Sequence, residues 1–395
     1  MAVRFLRSIH DVAATDWNAL ELRGQPFLRH EFLAALEETG CATDATGWTP
    51  HHLLLLDDRT RALRGAMPLY LKTHSFGEFV FDFSWAQAYD QAYLRTGLEY
   101  YPKLVSAIPF TPATGPRLLL AANVDSAAVA KDLLSAVEEL AQEKQISSAH
   151  VLFPDAGSND QLAAQNWLPR VSCQFHWFNR GYATMDDFLA AFRADKRKKA
   201  KRERRRVVEQ GISFKTLSGA ELTRQQWQMV FRFSAHTFHE HGHEHYLSVE
   251  FLQQVALALP DQIMVKLAEY QGKPVAAAIF FLSDDTLFGR YWGALENFHS
   301  LHFETCYYQG IEFCIARGLQ RFEPGTQGEH KVPRGFEPTL AHSAHYMSDP
   351  RFQHALADYL ERERAAVRSY AAEMSAHVPF HRGDEQNETQ VLSEP

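Results

Sequence analysis

Apolar and polar residues follow one of two periods along most of this chain, and the places where the period changes mark out its elements. Alternation by two predicts strands at 3–9, 51–57 and 63–72, the last two joined through Asp58, Arg59 and Thr60 as a hairpin. The aromatic run FVFDFSW at 79–85 extends the expected sheet, with Asp82 set among its rings. Helical spacing predicts segments at 14–22 and 30–38, where Phe32, Leu33 and Leu36 share a face. A longer helix is predicted at 125–144, with Val129, Leu133, Leu134, Val137 and Leu140 on one stripe. Strands at 149–153 and 171–178 close this half. At 100–120 the period breaks down in a stretch with four prolines, Lys103 and Arg117; an ordered loop inside a domain points to function.

The second half repeats this order. Strands at 263–269 and 275–282 flank the turn Gln271-Gly272-Lys273, a further strand lies at 287–292, and a helix at 304–317 answers 125–144. Strands at 321–324 and 340–347 answer 149–154 and 171–178. Two copies of one hairpin, strand, helix, strand, strand unit are the simplest account. A final amphipathic helix spans 350–376, and the polar, aperiodic tail that follows reads as disordered. The expected divisions are 1–180, a basic linking helix at 181–211, 212–378 with the last helix, and a tail at 379–395.

Composition narrows the class. The 395 residues are 46% hydrophobic and 22% charged, ordinary for a well-buried globular chain of two domains. No apolar run reaches membrane-spanning length and the N-terminus lacks a secretory pattern, so a cytoplasmic protein is expected. Cys41, Cys173, Cys306 and Cys314 show no metal or redox spacing; Cys306 and Cys314 read as small buried hydrophobes. A net charge of −8 gives no general affinity for nucleic acid, and DNA is not an expected partner.

Two local patterns stand apart. Residues 193–206 hold ten basic and two acidic residues, a local charge of +8. So one-sided a helix exceeds what i,i+4 pairing neutralises, which points to phosphates, with Arg197, Lys198, Lys201, Arg202 and Arg205 as candidate ligands. A solvated face is the plain alternative. Without interleaved aromatics, any contact with tRNA would be to backbone phosphate, and an acidic membrane surface is the other candidate partner. The second pattern, HTFHEHGHEH at 236–245, has five histidines and two glutamates but not H-E-x-x-H spacing; a polar helix end is expected, with no metal assigned.

The strings HSFGEFVFDFSWAQAY, YYPKLVSAIPFTPATGPRLL, GRYWG, LHFETCYYQGIEF and FEPGTQGEHKVPRGF resemble the bacterial FemAB-like proteins, a peptidoglycan biosynthesis or recognition family within the GNAT acyltransferase superfamily. The resemblance spans roughly residues 3–375. It implies an α/β (α+β) fold of tandem GNAT-like domains, mixed sheets flanked by helices, with the basic linking helix and the C-terminal helix. It also implies a transferase of the N-acyltransferase class, with acyl-CoA or aminoacyl-tRNA as co-substrate and no resident cofactor. A GNAT pyrophosphate loop carries glycines before its helix. The matching residues here, ENFHSLH at 296–302, have none, which turns attention to the basic helix for phosphate.

Acyl transfer to an amine needs a base, a donor near the carbonyl oxygen and a site that aligns the reactants. The stretch 289–335 concentrates such groups. Glu329, His330 and Glu304 are the candidate catalytic residues; Glu329 beside His330 is positioned to orient it, and Glu304 has a plain reading as a helix-start acid. Arg290, Tyr291, His302, Tyr308, Gln327, Lys331 and Arg334 are candidates for binding a peptide or small-molecule substrate, with core roles as the alternative for the two tyrosines. In the first repeat Lys72, His74, Glu78, Asp82 and Lys103 are candidates for a further substrate wall. Three readings stay open: a Fem-type N-acyltransferase acting on a small peptide, amino acid or amino sugar, an aminoacyl-tRNA-dependent peptide ligase, and a non-catalytic binder of a cell-wall precursor. The oligomeric state is not legible.

Overall fold

The expected first hairpin forms, His52–Leu56 against Leu63–Met67, and Ala2–Leu6 pairs on the other side of His52–Leu56. Pro68 has no N–H to continue the ladder, so the chain breaks there and re-enters a second sheet as Tyr70–Lys72. That sheet runs Trp48–Pro50, Tyr70–Lys72, Lys103–Ser106, Ser148–Leu152 and then residues 343–347 of the strand Glu337–Met347. The computed structural model describes residues 1–326 and 328–381, and they fall into two compact units. The first joins Met1–Ser172 to Ala341–Val367; the second joins Cys173–Leu340 to the segment from Arg368 on. Most of the strand Glu337–Met347 and of the helix Pro350–Ser375, which the sequence groups with the second repeat, therefore fall in the first unit.

One face of the first unit's sheet is apolar. Leu104, Ala149, Val151 and Ala344 pack with Val129, Leu133, Leu134 and Val137 of the helix Ser126–Glu143. Asp125 caps that helix by accepting from the Ala128 N–H. Each such aliphatic side chain contributes about 1.5–3 kcal/mol by leaving water. Strand alternation sends the neighbouring residues to the opposite face, where the first unit differs from an ordinary core.

The sequence misplaced two segments here. Residues 79–85 are not a strand: Phe79 has φ of +62° and the chain passes into the helix Phe83–Tyr93. The side chain of Asp82 is bonded by Lys103 and Tyr100, which holds the segment away from the ladder and leaves Phe76, Phe81 and Phe83 exposed. The helix Ala156–Ala164 was unmarked by any apolar stripe; it starts at Asp155, whose carboxylate accepts from Ser158 N–H. The helix expected at 14–22 is only Ala14–Asn18.

The second unit carries the strands Ile212–Ser218, Ile263–Tyr270, Lys273–Leu282, Thr286–Ala294 and Arg321–Glu323, paired in that order, with Trp177 and Phe178 on the far side of Arg321–Glu323. Helix Arg224–Glu240 packs so tightly on Thr286–Ala294 that a Cβ at Gly293 would lie 1.9 Å from the Phe233 backbone, so only glycine fits there. The central helix runs from Leu301 to Arg317 and includes a π-helical turn, Glu304–Tyr308. Its Tyr307, Tyr308, Ile311 and Cys314 join Trp177, Phe188, Phe280 and Phe322 in the core. The basic helix, Ala194–Glu209, forms as expected. Phe380 is buried against Phe188 and Phe192, so residues 379–381 do not belong to a disordered tail; the rest of that expectation, 382–395, lies outside the described residues. Among the described residues no helix is long and apolar enough to cross a membrane.

Candidate active site

In the second unit an opening is built into the sheet. The strands Thr286–Ala294 and Arg321–Glu323 run parallel, but their registered pairing stops at Phe288 with Glu323. On the other edge of Thr286–Ala294 a bulge opposes Phe280 to Gly289 and Ile279 to Tyr291, leaving Arg290 as the extra residue. The bulge and the ending of the parallel pair leave a cleft of about 80 Å³ lined by Arg290, Tyr291, Trp292, His302, Cys306, Tyr307 and Pro324. The π turn contributes Cys306 and Tyr307 to it; such turns widen a helix by one residue and often mark functional sites.

Beside this cleft the Tyr307 hydroxyl lies 2.8 Å from His330 Nε2. The His302 ring sits 5.4 Å from that of Tyr307 and 6.1 Å from that of His330. Burial, helped by the nearby charges of Lys331 and Arg334, lowers the pKa of His330 and leaves its ring neutral near pH 7. His302 is more enclosed and is held down to about 4. Burial pushes the Tyr307 phenol up, so it remains a proton donor. Lys331 is 2% exposed; its Nζ donates to Gly325 O at 2.6 Å, and burial brings it down to about 7.

The structure brings together His330, His302, Lys331, Arg290 and Tyr291 from the expected set and gives other members internal work. Glu329 does not orient His330; it accepts from the Tyr370 hydroxyl at 2.8 Å. Glu304 is bound bidentately by Arg204 of the basic helix and also accepts from Gln309. Arg334 makes two bonds to Glu203, at 3.1 and 2.8 Å, and covers the Phe303 ring at 3.4 Å. Tyr308 donates to the same Glu203 at 2.9 Å and is 1% exposed. Glu304, Tyr308 and Arg334 thus fasten the basic helix to the site's outer wall. Gln327 lies outside the described residues.

This lattice corrects the picture of an unpaired basic helix. Besides Arg204, Lys201 pairs with Asp186 at 2.8 Å and Arg205 with Glu209 at 3.2 Å, so neighbouring acids neutralise part of the run. Arg197 donates to Ala190 O. Lys198 and Arg202 are exposed. The glycine-less loop before the central helix is closed on the basic helix's end, where Gln210 bonds both His299 N–H and His299 O. Among the described residues no group of three or more His, Cys, Asp and Glu is placed to hold a metal ion. In the histidine-rich segment, His245 packs instead against the rings of Phe231 and Phe238.

The first unit holds a second constellation, on the face of its sheet opposite the apolar one. Lys103 Nζ contacts Asp82 Oδ2 at 2.5 Å, Glu78 Oε2 at 2.9 Å and Ser75 Oγ at 2.7 Å, all of them buried. From Asp82 the bonds continue to the Tyr100 hydroxyl at 2.7 Å, to His150 at 3.2 Å and to His345, whose Nδ1 is 2.6 Å from that of His150. Burial lowers His150 to about 3 and also lowers His345, so this histidine pair is neutral. Lys72 is also fully buried, with its Nζ 4.0 Å from the Trp48 ring centre. His74 lies at the cluster's margin, packed over Gly47 and accepting from Phe76 N–H, with the charges of Lys72 and Lys103 bearing on it. The sequence pointed to Lys72, Glu78, Asp82 and Lys103 but not to Ser75, Tyr100, His150, His345 or Trp48. Polar residues two apart in SAHVL (Ser148, His150) and in AHSAHYM (Ser343, His345), on strands otherwise fit for a core, were the available signal.

Comparison with known proteins gives the family and the fold. The family model FemAB-like, described as peptidoglycan biosynthesis/recognition, matches residues 8–382. No curated protein matches the sequence. Among solved structures, FemX aligns at a TM-score of 0.51 with 10% identity, over 89% of this chain and 99% of that one. The C-terminal domain assigned to a lysylphosphatidylglycerol synthetase of Agrobacterium fabrum aligns at 0.50 with 9% identity, over 88% and 96%. A tandem GNAT protein from the clavulanic acid biosynthesis pathway aligns at 0.46 with 10% identity, over 88% and 99%. At such identities the likeness to FemX and to the synthetase domain speaks to fold alone, and the fold is the mixed α/β, tandem GNAT architecture.

Proposed function

The chain belongs to the FemAB-like peptidoglycan biosynthesis/recognition family, and from that premise we propose that it is a cytoplasmic N-acyltransferase acting on an amine of a small peptide, amino acid or amino sugar. The supporting observation is the second unit's cleft, where a bulged strand and a parallel pair of limited register open the sheet beside the Tyr307–His330 contact. In this reading the acceptor amine attacks the acyl carbon, the new C–N bond replaces the C–S or C–O bond of the donor, and the amine's proton passes to His330 Nδ1 and from there to the departing sulfur or oxygen. The Tyr307 hydroxyl oxygen accepts from Nε2–H and so fixes the tautomer that leaves the lone pair on Nδ1. Arg290 and His302 line the cleft, and Lys331, whose charge bears on both histidines, is neutral in part near pH 7 and can accept a proton or donate to developing negative charge.

For the donor, aminoacyl-tRNA is favoured over acyl-CoA by one feature. The loop before the central helix lacks glycine and is tied to Gln210, while Lys198, Lys201, Arg202 and Arg205 are exposed on the adjoining basic helix. The test is turnover of the purified full chain with acetyl-CoA and with charged tRNA, each offered an amine acceptor. We expect transfer that falls at least about a hundredfold in His330→Ala, the range of a lost acid–base group. Transfer unaffected in His330→Ala would remove the proposed chemistry. Saturable binding of a cell-wall peptide with no donor ever consumed would establish the recognition role instead.

A further inference from the structure

Lys72 is the one buried cation of the first unit's polar face whose ammonium has no carboxylate against it among the described ion pairs. Its Nζ rests on the Trp48 ring and donates to a single acceptor, the backbone carbonyl of Phe76, at 3.2 Å. An ammonium has three donors, so two are unused. Around it other buried polar atoms also lack partners: Trp48 Nε1, the Tyr70 hydroxyl and Glu78 Oε1. Strand register places them together, since Trp48 stands opposite Lys72, Lys72 opposite Lys103, and Tyr70 is two residues away on the same face. Unmet buried donors are costly, at roughly 1–3 kcal/mol each, and three kinds in one place ask for a common acceptor.

The roof over this floor is the loop 74–83. It is unlike the rest of the unit in showing three aromatic side chains to solvent: Phe76 is 64% exposed, Phe81 53% and Phe83 43%. Phe83 makes ring contacts with both of the others, at 5.4 and 5.9 Å. The roof closes directly on the floor, because a Cβ at Gly77 would stand 3.3 Å from Trp48 Nε1. A ligand that enters beneath Phe76 would exchange the Phe76 carbonyl for its own acceptor on Lys72 and would meet apolar surface at the entrance.

We propose that the polar face of the first unit, under the loop 74–83, is a binding site for a carboxylate, with Lys72 as counter-ion and Trp48 Nε1 as second donor. A carboxylate matches the floor by charge and by geometry, having two oxygens for two donors of different kinds. Phosphate, with more oxygens and more charge, would leave acceptors unmet here. The ionisable groups facing Lys72 are Glu78, Asp82, Lys103 and His74. Burial lowers Lys72 to about 7, with Glu78 opposing that shift, and burial raises Glu78 to about 7. An arriving anion favours the protonated form of both, so binding near pH 7 takes up a proton. The site is independent of the acyl-transfer reading, because a carboxylate can be titrated with no donor present.

The test is calorimetric titration of the full chain with N-acetylglycine, with N-acetylglycinamide as the uncharged counterpart and inorganic phosphate as the competing anion, in buffers of different ionisation enthalpy. The expected result is saturable binding of N-acetylglycine with net proton uptake at pH 7, no binding of the amide, and binding weakened at least about tenfold in Lys72→Met. Lys72→Met exchanges a buried charge for a side chain of similar volume, so it retains the fold, checked by its circular dichroism and melting. Trp48→Phe, which keeps the aromatic surface and removes the N–H, gives a second, smaller loss. Equal binding of the amide, stronger binding of phosphate, unchanged affinity in Lys72→Met or no binding at all would each overturn the proposal.

Discussion

The two units hold their ionisable groups in opposite ways. In the first, Lys103, Asp82, Glu78, Tyr100, His150 and His345 are bonded to one another across a buried sheet face. In the second, His330 and His302 stand beside an opening, while the strong ion pairs, Glu203 with Arg334 and Glu304 with Arg204, lie in the wall that holds the basic helix. What differs between the Lys103 network and the pair of histidines is whether the groups' bonds are already made within the fold. A group with every bond satisfied stores structure; one beside a cleft, with bonding capacity left, is available to a substrate.

Removing a member should therefore have different consequences on the two sides. Lys103→Met leaves the carboxylates of Asp82 and Glu78 buried together and should cost about 3–5 kcal/mol, read from urea unfolding. A loss under 1 kcal/mol would show that the first unit's network is not the rigid structure described. Glu203→Gln, which strands Arg334 and weakens the Tyr308 contact, should cost nearer 3 kcal/mol by the same measurement, and it should loosen the basic helix in hydrogen exchange. Tyr307→Phe, by contrast, should leave stability close to wild type and lower turnover about tenfold through the lost bond to His330. A large stability loss with turnover preserved would reverse the roles assigned to the two units.

Stability also depends on pH, through groups of both units. Lys331 is held near 7 by burial, against 10.5 for the free side chain, so the unfolded chain binds more protons between these values and stability rises with pH across that window. Lys72, also near 7, contributes with the same sign, so the quantity to read is the slope lost in Lys331→Met. On the acid side both units contribute: His150, held near 3, His345, also lowered by burial, and His302 of the second unit, held near 4, stay neutral in the fold, and stability is lost as pH falls below about 6.5. The smallest effect belongs to the surface. Reversing Lys198 and Arg202 to glutamate should leave melting unchanged and should weaken retention on a polyanion column; unchanged retention would end the phosphate role of that helix.

Much of this fold was legible because its periodic elements are long. The strands Ile263–Tyr270 and Lys273–Leu282, the helix Ser126–Glu143 and the basic helix all follow their patterns. The run at 79–85 misled because alternating aromatics satisfy the strand rule whether they face a core or solvent, and the deciding contact, Asp82 with Lys103, joins residues 21 apart. The second unit's site was partly legible, since His302, His330 and Lys331 fall in one dense stretch. The first unit's polar face was not, because it is assembled from single residues of separate strands, and each one alone reads as a lone polar residue in a core. Glu304, Glu329 and Arg334 looked reactive in sequence; their partners, Arg204, Tyr370 and Glu203, lie far along the chain.

The strand that brings His345 to His150 has a consequence for how the protein is made. The first unit's sheet is completed only by residues 343–347, so a nascent chain that has already emitted its first 300 residues still carries Ser148–Leu152 as an unpaired edge. Folding of the N-terminal unit must wait until His345, 195 residues beyond His150, has been made, against the usual order in which early domains finish first. A chain halted before Ala341 would present an open sheet edge with a polar, histidine-bearing face, a natural target for chaperones and proteases.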